Sequence, residues 1–182
     1  MLYKEKTIML KNGQLCTLRS ADSGDAQEML DFIRRVSGET AFLTRYEDEV
    51  TMTANVEAEF LTSRLLSTRE IMISAYIDGK LAANAGIDSL PPRDRLKHRA
   101  EMGISVLREF WGLGLGSVLM EAIIESAKAA EYEQLELEVV TENERGLTLY
   151  RKFGFELYGT RENTFKYRDG KSSACHLMLK KL

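Results

Sequence analysis

Three glycines at alternate positions, in Trp111-Gly112-Leu113-Gly114-Leu115-Gly116-Ser117, stand between a strand-like run and a helix-like run. No other stretch of the chain restricts the fold as much. Glycine lets the backbone turn tightly and approach another group with no Cβ in the way. The residues before it, about Glu101 to Val106, read as a strand. Beyond it Val118, Leu119, Ala122, Ile123, Ser126, Ala127 and Ala130 line one face of a helix starting near Gly116. Leu135, Leu137 and Val139 then alternate with Glu136 and Glu138, the period of a half-buried strand. The stretch from Glu101 to Val140 is therefore a strand–turn–helix–strand unit, which implies a parallel pair and a right-handed crossover.

The elements around this unit follow from pattern. Gly13 to Arg19 reads as a strand, and Ser20 to Asp25 offers several helix N-caps. Ala26, Met29, Leu30 and Ile33 give an apolar helical stripe, and Gly38 is placed to end that helix. A second helix is expected over Thr51 to Leu66, carried by Val56, Phe60, Leu61 and Leu65. Ile71 to Ile77 and Leu81 to Ile87 flank Asp78-Gly79, a hairpin signal. Pro91 to Arg95 is a polar loop. A short helix over Asn143 to Phe153 is closed by Gly154, and Phe155 to Thr160 and Ala174 to Lys180 form the last strands. The order βααβββαβαββ predicts an α/β (α+β) fold with a mixed, mostly antiparallel central sheet flanked by helices. The absence of repeats and long linkers makes residues 1–182 one expected domain.

A helix that begins at a glycine turn leaves its first N–H groups unpaired at the positive end of its dipole. Such an end suits phosphate or pyrophosphate. A P-loop would need Lys-Ser/Thr after the last glycine, and Gly116 is followed by Ser117-Val118. A dinucleotide fingerprint starting at Gly112 would need Gly or Ala at position 117 and meets Ser117. Glu138 alone stands where a ribose-binding acid could be, so a nicotinamide-dependent oxidoreductase is a weak competitor.

Val106-Leu-Arg-Glu-Phe-Trp111-Gly-Leu-Gly114-Leu-Gly116 resembles the acyl-CoA-binding motif of the GCN5-related N-acetyltransferase (GNAT) superfamily. So does Asn143-Glu-Arg-Gly-Leu-Thr-Leu-Tyr150-Arg-Lys-Phe-Gly154-Phe155, in the family's order and at its spacing. The resemblance implies acetyl-CoA as cosubstrate. Its pantetheine arm would be held by backbone groups of Ile104, Ser105 and Val106. Its pyrophosphate would lie on the N–H groups of Gly112, Leu113, Gly114, Leu115, Gly116 and Ser117. Tyr150 matches the tyrosine that protonates the leaving thiolate, and Asn143 adds a cofactor contact to its reading as a helix cap. Trp111 departs from the Gln or Arg usual there, so packing against the adjacent helix competes with a ligand contact for its side chain.

A general base is also required, and Glu101 on the strand entering the turn is the first candidate, with His98 second. The resemblance puts acceptor recognition on Glu39 to Glu47, where Phe42 and Tyr46 could wall a pocket, and on Asp88 to Arg95. The expected activity is direct acetyl transfer to a primary amine of a small molecule, peptide or protein. The competing reading in a different class is a CoA-binding regulatory module without useful turnover. The two histidines, His98 and His176, form no ligand set with Cys16 and Cys175, so no metal is expected. A net charge of −3 argues against general nucleic-acid binding. No apolar run approaches the ~18 residues of a bilayer span. Free thiols and the lack of a signal-like N-terminus make the expected location cytoplasmic. A homodimer is the expectation carried over from relatives.

Overall fold

The computed structural model describes residues 1–182. One eight-stranded sheet runs through it in the order β1-β2-β3-β4-β5-β6-β8-β7. The strands are β1 (Lys6–Met9), β2 (Leu15–Arg19), β3 (Ile71–Ile77), β4 (Lys80–Ser89), β5 (Arg99–Val106), β6 (Gln134–Val140), β7 (Glu156–Lys166) and β8 (Ser172–Lys181). The helices are α1 (Ala26–Glu39), α2 (Ala54–Leu66), α3 (Leu115–Ala129) and α4 (Glu144–Lys152). Every neighbouring pair is antiparallel except β5 and β6. That pair is the expected crossover, with α3 between its strands.

The alternation of β3 and β5 divides the molecule into two apolar layers. Ile71, Ile73 and Ala75 of β3 and Ala100 and Met102 of β5 pack with Leu115, Leu119 and Ile123 of α3 and Leu147 and Tyr150 of α4. The opposite face carries Tyr76, which joins Met29, Phe32 and Val36 of α1 and Leu61 of α2. Helices α3 and α4 thus cover one face of the sheet and α1 and α2 the other. The Asp78-Gly79 turn has φ of 49° and 75°, the left-handed pair that a two-residue hairpin needs.

Several expectations need correction. Strand β1 carries no periodic signal in its sequence and forms by antiparallel pairing of Lys6–Met9 with Leu15–Leu18. The strand expected from Gly13 begins at Leu15, because Gly13 sits in the turn with φ 84°. Strand β7 continues six residues past Thr160, and β8 inserts between β6 and β7. The largest correction is α2. Of its expected apolar residues Leu61 is buried and Leu65 half-buried, on the face of Ala54 and Ala58, whereas Val56 and Phe60 face solvent at 50% and 37% exposure and Glu57 is turned inward.

Candidate active site

Strands β5 and β6 are paired only over Arg99–Glu101 and Gln134–Glu136. Beyond Glu101 β5 stays bonded to β4, through Ala85↔Ile104, Asn84↔Ser105 and Ala83↔Val106. Over the same stretch β6 pairs only with β8, through Leu137↔Met178 to Val140↔Cys175. Ile104, Ser105 and Val106 therefore lie on a strand side with no ladder partner. A buried backbone that is unpaired needs some other partner, and this one faces a wedge between two strands.

The wedge leads to the glycine turn. Gly112 and Gly114 have φ of 83° and 96°, the left-handed region that side chains avoid, and Gly114 is the N-cap of α3. The N–H groups of Gly112, Leu113, Gly114, Leu115 and Gly116 donate to no backbone carbonyl. The expectation extended this row through Ser117, whose N–H is instead taken by the Gly114 carbonyl at 3.0 Å. Ser117 accepts through its hydroxyl from Lys152 Nζ at 2.9 Å. Gly116 has a packing reason, since a Cβ there would lie 3.1 Å from Leu149 Cδ2 on α4.

Cations that the sequence reading did not single out surround this turn. The Lys11 methylenes lie 3.7–4.0 Å from where a Gly114 Cβ would be, and the Lys11 ammonium forms no ion pair. Lys152 reaches Ser117 from α4. Trp111 is held by its indole N–H, which donates to the Val106 carbonyl at 2.8 Å. The guanidinium groups of Arg108 and Arg145 lie 5.5 and 4.6 Å from its ring centre. The indole thus occupies a lone pair on the end of β5, one of the positions expected to face the pantetheine arm. Arg108, Arg145 and Lys152 at least lie within the two motifs read from the sequence. Lys11 is brought in by a hairpin with no sequence signature.

Tyr150 is buried on α4, its ring 5.9 Å from that of Phe155. Its hydroxyl has no protein partner, and burial pushes the phenol up to about 12. It stays protonated at neutral pH and can donate to an adjacent developing anion. Asn143 is spent as a cap, its Oδ1 accepting from the Gly146 N–H at 2.9 Å, which leaves its amide NH2 for any ligand.

Glu101 is exposed at the closed end of the wedge, between Asp88 on β4 and Glu136 on β6. Asp88 is paired with Arg64 and Glu136 with Arg99, and Glu101 has no such partner. His98 contributes its carbonyl to Glu133 and Gln134 N–H groups at the start of β6, a backbone role.

On the α1/α2 face, a cleft of about 630 Å³ is lined by the C-terminal turn of α1, Phe42, Tyr46, Arg108, Trp111 and Arg168. The β7–β8 turn closes it. Arg168 makes a two-pronged contact with Asp48 at 2.9 Å and stacks on Tyr46, and Tyr167 donates to the Ala41 carbonyl. The expected acceptor segments part here: Glu39 to Glu47 lines the cleft, while Asp88 to Arg95 lies at the far end of β4. No helix is long and apolar enough to cross a membrane, and no three His, Cys, Asp or Glu side chains are grouped to hold a metal.

Comparison with known proteins agrees with this geometry. The acetyltransferase (GNAT) family profile matches residues 30–155. A GNAT-family acetyltransferase from Streptococcus pneumoniae superposes with a TM-score of 0.88 at 33% identity, over 92% of this chain and 99% of that one. The yncA structure from Salmonella typhimurium, with its cofactor acetyl-CoA, has the same fold at 18% identity and a TM-score of 0.80, over 92% and 94% of the two chains. The L-amino acid N-acetyltransferase AaaT of Escherichia coli (strain K12) is 34% identical over 87 residues, 47% of this chain and only 53% of that relative. With a family profile spanning well over half of its length and the wedge, glycine turn and helix in their places, the chain belongs to the GNAT acetyltransferase family and is an acyltransferase.

Proposed function

We propose that the protein transfers an acetyl group from acetyl-CoA directly to a primary amine, with the glycine turn as the diphosphate site. The observation that carries this reading is the row of unpaired N–H groups from Gly112 to Gly116 at the mouth of the wedge. Five donors at a helix N-terminus, with Lys11 and Lys152 beside them, suit a diphosphate. The free side of Ile104 and Ser105 then receives the amide-bearing arm as an added strand would be received. This directs the thioester along β5, away from the turn.

In this reading Glu101 accepts one proton from the acceptor ammonium, and the neutral amine attacks the thioester carbonyl carbon. The C–N bond forms, the C–S bond breaks, and the Tyr150 phenol donates its proton to the departing thiolate. The second amine proton is released as the amide forms, and the phenolate regains one from solvent. No covalent acyl-enzyme is required. Cys16 and Cys175 are both buried, and burial pushes Cys16 up to about 11 and Cys175 upward too, which keeps both as unreactive thiols.

The test is calorimetric titration with acetyl-CoA, with NADH as control and Gly114→Glu alongside. Binding of acetyl-CoA but not NADH, abolished in the variant, is the expected result. Well-folded protein that ignores acetyl-CoA would overturn the reading. Tight binding with no thiol release on any amine would favour a regulatory module.

A further inference from the structure

Glycine inside a strand weakens the sheet and marks a place where something else approaches the backbone. Gly103 lies in the middle of β5 and stands opposite Gly86 of β4. Ala100 and Met102 belong to the layer under α3, so Glu101, Gly103 and Ser105 face the α1/α2 side. The glycine pair removes two neighbouring side chains from that face. It is bordered by Asp88 and Glu101 at one end and by Asn84 and Ser105 at the other.

The fold asks different things of the two glycines. Gly86 lies beside β3, and a Cβ there would be 3.3 Å from the Ile71 carbonyl oxygen. Gly103 has no such neighbour: its φ lies outside the left-handed region, and a Cβ would meet nothing within 4 Å. Strand β6 has left β5 by this point, since their pairing ends at Glu101. The backbone of Gly103 is thus on the free side that the wedge exposes, and its α1/α2 surface is open as well. Neither turn geometry nor packing accounts for a glycine here.

The reaction accounts for it. Residues two apart on a strand are separated by roughly 7 Å, so Glu101 and Ser105 stand one pleat to either side of Gly103. A thioester that follows the arm past Ser105 and Ile104 comes to rest beside Gly103. The amine must be within hydrogen-bond reach of Glu101 and about 3–3.5 Å from the thioester carbon at the same time. The carbon that carries the amine then lies over Gly103. We infer that Gly103 sets the clearance for the acceptor: the amine-bearing carbon packs against its Cα, and a side chain there would shut the acceptor out while acetyl-CoA still binds. This rests on the proposed acetyl transfer and adds to it a specificity-determining residue that makes no polar contact.

The experiment compares acetyl-CoA with two conjugates in which the CoA sulfur carries a CH2–C(=O)–NH–R arm, R being ethyl or isopropyl. The conjugates report on the acceptor side whatever the natural amine is. Calorimetry should give Gly103→Val the native affinity for acetyl-CoA but at least about tenfold weaker binding of both conjugates, with the isopropyl one losing more. Gly103→Ala should show the same loss in smaller measure, with a Tm at or above the native value. Conjugates that bind the valine variant as they bind the native protein would overturn the inference. So would a parallel loss of acetyl-CoA, or a lower Tm in the alanine variant, since either gives Gly103 another role. Native protein that binds neither acetyl-CoA nor the conjugates defeats the acetyl-transfer reading itself, whereas native acetyl-CoA binding with no conjugate-specific loss in the variants defeats this inference alone.

Discussion

The two sides of β5 differ in charge and in how they are built. On the side of the turn, Lys11, Lys152 and Arg145 gather around N–H groups that point outward, and no carboxylate is paired with Lys11 or Lys152. On the α1/α2 side, Glu101 and the sealed Glu57 Oε1 stand without partners, while Asp88 and Glu136, the strand neighbours of Glu101, are tied to arginines. One side gathers unpaired cations and backbone donors and the other unpaired carboxylate oxygens, although the whole chain carries only −3. Net charge averages over these regions and conceals both. What matters is where ion pairs are left incomplete, since paired charges on a surface contribute little.

Four changes would break or sharpen this contrast. Tyr150→Phe should lower kcat about 100-fold while acetyl-CoA binding holds, because only the proton donor is lost; stopped-flow thiol release and calorimetry together check it. An unchanged kcat would return Tyr150 to the core. Replacing both Lys11 and Lys152 by Ala should weaken acetyl-CoA binding about tenfold and flatten its salt dependence, with kcat kept. If affinity and salt slope stay as they were, the turn's N–H groups act alone.

Glu57→Gln should raise Tm by a few degrees, read by scanning calorimetry. Burial lifts the Glu57 carboxyl above its ordinary value, so its native form favours the proton. The glutamate is best tolerated below its unfolded pKa and increasingly penalised as pH rises through the folded one. The gain in the variant should therefore grow from pH 4 to pH 8, and a loss of stability at pH 8 would mean Glu57 is already satisfied. The smallest effect is expected for Asn143→Ala, which removes the α4 cap at about 1 kcal/mol in denaturant melts.

Parts of both regions were legible in the sequence. The crossover from β5 through α3 to β6, the hairpin at Asp78-Gly79 and the short helix at Asn143 followed from periodicity, glycines and caps, which act within a few residues. The turn's row of unpaired backbone donors was legible for the same reason, because they are consecutive. Lys11 was not, since it reaches Gly114 from a hairpin about a hundred positions earlier and its strand has no period. The burial of Glu57 could not be read either: it shares the inward face with Ala58 and Leu61, but a carboxylate carries no apolar signal and Val56 and Phe60 compete for that face.

The sequence by itself determined which segments are strands and helices on either side of the glycine turn, and that the turn offers backbone donors, because those properties depend on neighbours along the chain. Only the tertiary structure decided that β8 inserts beside β6, that β5 and β6 part after Glu101, and which face of α2 turns inward. These are contests between distant surfaces for the same space, and no local pattern records their outcome.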